Sequence, residues 1–146
     1  MTPYEVVYSA FLSKVLEDEW GDWEDPYVRQ DLKTILLGAI PYFKFPRVDL
    51  QMRDDMKGCF FNDLNNEEIQ LLATYMKCEW LNRNILTWEN IRPMYDEKDF
   101  SQANLIDKFI KLLEREEQKA KKLEATYYRS VKGKPFSYRD LAKQAD

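Results

Sequence analysis

The chain has 146 residues, a formal charge of −4 and no histidine, with 45% of its residues hydrophobic and 33% charged. That length suits one domain with its own core. The acidic balance argues against a grip on phosphate backbones, which needs clustered Lys and Arg, and the missing histidine removes the commonest general base and metal ligand. Only 4 glycines and 6 prolines against 14% aromatics favour helices over a turn-rich sandwich. Cys59 and Cys78 form no Cys-x-x-Cys pair and read as reduced thiols in a cytosolic assembly environment. No stretch approaches the roughly 20 apolar residues of a membrane span, and the first residues lack the basic start and apolar run of a signal peptide.

In chain order, Thr2, Pro3 and Glu5 read as an N-cap, a first helical residue and the far half of a capping box. Val7, Ala10, Phe11, Lys14 and Val15 recur at the helical period, which predicts a helix to about residue 16. Residues 17–25 follow, with six acidic residues among nine and two tryptophans, Trp20 and Trp23. They read either as a solvated loop with its tryptophans folded back, or as an interaction loop anchored in a partner's pocket by Trp20 or Trp23. The ligand spacing of a calcium loop is missing.

Asp25 and Pro26 restart helix as cap and first residue. Val28, Leu32, Ile35, Leu36, Ala39 and Ile40 form its buried stripe, and Pro41 is expected to kink or end it. Between residues 47 and 63 the period changes. Val48, Leu50 and Met52 alternate with polar neighbours, a turn follows at residues 54–58, and Cys59, Phe60 and Phe61 return. This predicts a short β-hairpin or an extended loop, an excursion from the helices that leans on something else.

The central element starts at Asn65, a cap, with Glu67 and Glu68 in the first turn. Ile69, Leu72, Ala73, Met76 and Trp80 share one face, and Leu71, Tyr75, Cys78 and Leu81 widen it over most of the circumference. Such a helix belongs in the middle of a bundle. It is expected to reach about residue 82, with a separate short helix over 87–91 limited by Pro93, where Trp88, Ile91 and Met94 cover one end of the bundle.

The last helix starts at Asp99 or Ser101 and stops at Gly133. Leu105, Ile106, Phe109, Ile110, Leu112 and Leu113 give its first half a core face, while residues 114–122 are polar nearly all round. About thirty residues at 1.5 Å each span about 45 Å, which predicts that the second half projects. Residues 132–146 are locally basic, with Phe136, Tyr138 and Leu141. They read either as a frayed end or as a docking peptide that orders on a partner. The expected domains are therefore residues 1–131, helical, and 132–146, a tail.

Catalytic signatures are absent from the sequence. There is no Gly-rich phosphate loop and no Gly-x-Ser-x-Gly elbow. Neither cysteine has an evident activating base, and the carboxylates fall on caps and exposed faces. The chain is read as a non-enzyme with no cofactor.

Three stretches carry a family resemblance. The first is Thr2-Pro3-Tyr4-Glu5-Val6-Val7 with Phe11-Leu12-Ser13-Lys14-Val15. The second is Phe60-Phe61-Asn62-Asp63-Leu64-Asn65-Asn66-Glu67-Glu68-Ile69-Gln70-Leu71-Leu72-Ala73, leading to Met76 and Glu79-Trp80-Leu81. The third is Lys98-Asp99-Phe100-Ser101-Gln102-Ala103-Asn104-Leu105, opening the final helix. Together they resemble the head–tail connector, or adaptor, proteins in the neck of tailed bacteriophages, over residues 2–128. The acidic loop and the tail after Gly133 have no counterpart in it.

The elements read above predict a mainly α fold, a small bundle of about four helices with a long C-terminal helix and the hairpin or loop between the second and third, and the resemblance likewise implies a small helical domain. It also implies a structural virion protein, assembled in the host cytoplasm into a ring, usually a dodecamer. Such a ring sits beneath the portal protein, extends the DNA channel and supports stopper or tail proteins. DNA is then only passing cargo, which a net negative lining would repel. By that analogy Lys134, Phe136, Tyr138, Arg139 and Leu141 dock on the portal. Val48, Leu50, Met52, Arg53, Asp54, Asp55 and Phe60 face the lumen or the next ring, with Trp20 and Trp23 as interface anchors. A tail-completion or stopper protein is the alternative of the same kind. A soluble helical adaptor or regulator, binding its partner through the C-terminal tail, is the alternative of another kind.

Overall fold

Among the described residues, four helices, a 3-10 turn and a small antiparallel sheet account for the regular structure. The computed structural model describes residues 1–15, 25–91 and 100–129. The elements run β1 (Thr2–Pro3), α1 (Tyr4–Lys14), α2 (Pro26–Ala39), a 3-10 turn (Ile40–Tyr42), β2 (Arg53–Asp54), β3 (Cys59–Phe60), α3 (Asn66–Ile91) and α4 (Phe100–Arg129).

α3 is the hub, packing against α1, α2 and α4. Every residue from 71 to 76 is buried, as a helix with neighbours on several sides requires. The buried Thr74 hydroxyl there donates to the Gln70 carbonyl at 2.8 Å. Asn65 caps the helix through a reciprocal pair: the Glu68 N–H donates to Asn65 Oδ1 at 2.8 Å, and the Asn65 N–H donates to Glu68 Oε1 at 2.9 Å. The helix does not stop near residue 82. It continues unbroken to Ile91, so the separate short helix expected at residues 87–91 is its last part.

α1 buries Tyr4, Val7, Tyr8 and Phe11, and α2 buries Leu32, Ile35, Leu36 and Ala39, each set on one helical stripe. Asp25 caps α2 by accepting from the Tyr27 N–H at 2.8 Å. Pro41 ends it, the chain tightening into the 3-10 turn after Ala39.

The sheet has the order β1–β3–β2. Thr2 faces Phe60, and Arg53 faces Phe60 from the other side. The hairpin is shorter than the alternation of Val48, Leu50 and Met52 suggested, because regular pairing begins only at Arg53. What it leans on is the N-terminus, which supplies the third strand. This also moves Thr2 off the role of helix cap. Its buried hydroxyl accepts from the Leu64 N–H at 2.9 Å and donates to the Asn62 carbonyl at 3.0 Å, so the residue joins the chain start to the approach to α3. Pro3 takes the N-cap position of α1 with no side-chain bond, and Glu5 pairs with Arg29 at 2.9 Å instead of closing a capping box.

The second half of α4 does not project. Ala120 and Tyr127 are buried in the core, Leu123 packs against it, and even Glu116 is only 6% exposed. The polar run keeps one side for the bundle: the small Ala120 allows close approach, and Glu116 is neutralised by Lys77 of α3 at 2.9 Å.

Candidate functional site

Two surfaces stand out. The first is the hairpin. Asp54 Oδ1 accepts from the N–H groups of Met56 and Lys57, both at 3.0 Å, and the Gly58 N–H closes the turn on the Asp54 carbonyl at 2.8 Å. Gly58 has φ +70°, a conformation that a side chain would strain by about 1–2 kcal/mol. Its carbonyl accepts from the Tyr4 N–H at 2.8 Å, which ties the loop to α1. The Tyr4 hydroxyl donates to Asp55 Oδ1 at 2.5 Å, and Arg53 Nε donates to the same oxygen at 3.1 Å. The bond from Tyr4, with Arg53 beside it, holds the Asp55 carboxyl below its ordinary pKa. Arg53 also donates to the Leu50 carbonyl and to Gln51 Oε1.

This stitching settles where the hairpin residues point. Leu50 and Phe60 are buried in the core of their own chain, and Val48 packs on it half-buried. They hold the hairpin down and are withdrawn from any outward contact. Arg53, Asp54 and Asp55 shape the turn. Outward go Met52 at 50% exposure, Phe61 at 47% and Met56 at 96%. Of these, Met56 and Phe61 were not among the residues expected at the site. Their signal in the sequence was an apolar residue within the turn and the second of two adjacent phenylalanines.

The second surface is a groove of about 450 Å³ along α4. Leu113, Glu117, Ala120, Lys121, Glu124 and Tyr128 form its α4 wall, a single helical stripe. Tyr75, Cys78 and Asn82 of α3 line it too, and Tyr42, Lys44 and Phe45 border it from the segment after α2. Tyr42 stacks on Tyr75 with ring centres 6.2 Å apart, and Phe45 meets Tyr128 edge-on at 6.3 Å. Phe45 stays 72% exposed and Tyr128 43%. The Tyr75 hydroxyl donates to Glu124. Burial pushes the Cys78 thiol up to about 12, with Glu116 and Glu117 adding to it, so it is protonated at neutral pH and a poor nucleophile. The groove escaped sequence reasoning because its walls come from three separate stretches. Ala120, a small residue inside a charged run, was the one local hint.

Between α1, α3 and α4 lies a charged seam. Glu116 bonds Lys77 at 2.9 Å and has Lys119 at 3.9 Å, while its Oε2 is buried without a partner. Burial and the nearby Lys119 lower the pKa of Lys14.

Trp20, Trp23, Lys134, Phe136, Tyr138, Arg139 and Leu141 lie outside the described residues, as does the tail they were assigned to. Among the described residues, no group of three or more Cys, Asp or Glu is placed to hold a metal ion, and no helix is long and apolar enough to cross a membrane. Compared with family models, curated proteins and solved structures, the chain matches none.

Proposed function

We propose that the chain is a structural subunit that assembles head-to-tail into a ring, as the connector resemblance implies, extending the DNA channel between portal and tail without catalysis. One observation carries the reading: a hairpin pinned at Tyr4, Thr2 and Phe60 that turns Met52, Met56 and Phe61 outward. Large apolar side chains on a braced turn cost solubility unless a partner covers them. Met is adaptable enough to pack against a neighbouring copy. The groove shares no residue with this patch, so the subunit carries two unlike faces, which head-to-tail contacts need. The portal contact belongs, on the same analogy, to Phe136, Tyr138 and Arg139.

The test is mass photometry and negative-stain microscopy of the full chain, alone and with a phage portal protein. Rings, at least on the portal, are expected. Met56→Glu with Phe61→Glu should abolish them while leaving the helical circular dichroism intact. A chain that stays monomeric throughout and ignores the portal overturns the reading and favours a soluble adaptor.

A further inference from the structure

The aromatic groove on α4 begins where the described chain ends. Tyr128 lines its last turn, and α4 closes at Arg129. Residues 130–146 follow, with four basic residues, two acidic ones and the apolar Phe136, Tyr138 and Leu141. We infer that in the unassembled chain this C-terminal segment folds back antiparallel to α4 and lays Phe136 and Tyr138 into the chain's own groove.

The dimensions agree. From Tyr128 to Leu113 the groove wall runs about 22 Å at 1.5 Å per helical residue. From Lys134 to Leu141 an extended chain covers about 23 Å at about 3.3 Å per residue. Gly133 and Pro135 are the residue types that reverse a chain after a helix. Residues two apart in an extended segment share one side, so Phe136 and Tyr138 could enter together a groove lined by Tyr75, Phe45 and Leu113.

Charge favours the same arrangement. Lys132 and Lys134 follow α4 in sequence, where its negative end would favour them, and Glu124 and Glu117 line the groove as partners of the right sign for Lys134 and Arg139.

A few linking residues give the tail an effective concentration in the millimolar range at its own groove. A neighbouring copy at micromolar concentration competes poorly with that. The inference concerns the free chain and stands whether or not a ring forms.

Thiol pairs in the full chain test it. Cys59→Ser removes the accessible thiol, and Cys78 remains as the protonated, buried one. Glu117→Cys or Lys121→Cys on the rim is combined with Phe136→Cys, Tyr138→Cys or Leu141→Cys in the tail, with Gln144→Cys as the control. Under mild oxidation at micromolar protein, at least one tail position should close a disulfide within single chains about tenfold faster than the control. Disulfide-linked dimers as the main product overturn the proposal by making a second copy's tail the occupant. Rates equal to the control at every position overturn it by leaving the groove without the tail. As a second measurement that leaves the rim intact, Phe136→Ala with Tyr138→Ala should speed alkylation of Cys78 about fivefold, a gain of about 1 kcal/mol in opening. An unchanged rate counts against the proposal.

Discussion

The hydroxyl of Tyr127, near the end of α4, donates to Glu68 Oε2 in the first turn of α3 at 2.9 Å. The Tyr127 hydroxyl oxygen in turn accepts the Arg47 N–H at 2.8 Å, the Arg47 guanidinium lies over the Tyr127 ring at 4.6 Å, and Phe43 meets that ring edge-on at 5.3 Å. Glu68 meanwhile holds the cap of α3 through Asn65. One tyrosine thus joins the start of α3, the end of α4 and the segment after α2. Tyr127→Phe keeps the ring, leaves the buried Glu68 Oε2 without this donor and takes from the Arg47 N–H its hydroxyl acceptor. It should destabilise the fold by about 1–3 kcal/mol, read as a lower urea midpoint with an unchanged slope. A loss well under that range would show water taking over the hydroxyl's place.

Alkaline stability follows from the same residue. Burial, with the Glu68 carboxylate adding, pushes Tyr127 up to about 12 from its ordinary 10.0. Tyr4, Tyr8 and Tyr75 are raised as well, chiefly by burial. A group with a raised folded pKa stabilises fully below its unfolded value and loses that contribution as pH climbs through the folded value. Cys78 is raised too, from 9.0 to about 12, so stability should hold to about pH 9 and fall between about pH 9 and 12, with the tyrosines contributing above about pH 10. Tyr127→Phe should flatten that fall in urea titrations across the window.

The acid limb has the opposite sign. Asp55 is held below its ordinary 3.8 by the bond from Tyr4 and by Arg53. Its contribution is present above the unfolded value and disappears as pH drops through the folded one. Asp55→Asn should be less stable than the parent at neutral pH, and the two melting temperatures should converge below about pH 4.

The seam between α3 and α4 predicts a non-additive pair. Lys77→Met strands Glu116, whose Oε2 is already without a partner, and should cost about 3 kcal/mol. Lys77→Met with Glu116→Leu removes both charges and should recover most of the loss, measured by a double-mutant cycle in denaturant.

Gly38 offers a test of close approach. A Cβ there would meet Glu79 Oε1 at 3.0 Å, and Glu79 in turn accepts from the Tyr42 hydroxyl at 3.1 Å. The helix favours alanine over glycine by about 1 kcal/mol, but the carboxylate must move. Gly38→Ala alone should change stability by less than about 1 kcal/mol. Gly38→Ala in a Glu79→Ala background should show the full helical gain.

Much of the fold was legible because its signals are local. The stripe of Leu32, Ile35, Leu36 and Ala39, the Asp25–Pro26 start and the Asn65 cap each lie within one or two turns of helix. The hub character of α3 was legible from apolar residues covering most of its circumference. What stayed hidden depends on partners far along the chain. Thr2 reads as a cap until Leu64 claims its hydroxyl, and residues 114–122 read as a solvated arm until Lys77 neutralises Glu116. For the hairpin, alternation separated two faces without saying which was inward. Leu50 went in and Met52 went out, although both belong to the apolar set. The groove needed α3, α4 and residues 42–45 together, so no single window of sequence contained it.

The contact between Tyr127 and Glu68 also fixes an order of events during synthesis. Glu68 and its cap leave the ribosome long before Tyr127 does, and until then the buried side of α3 that α4 covers is open to water and to chaperones. The nascent chain must wait, with its central helix incompletely sheathed, for a residue near the other end. Weakening that late closure should therefore show up first as lost yield and aggregation during expression, ahead of any defect in the purified protein.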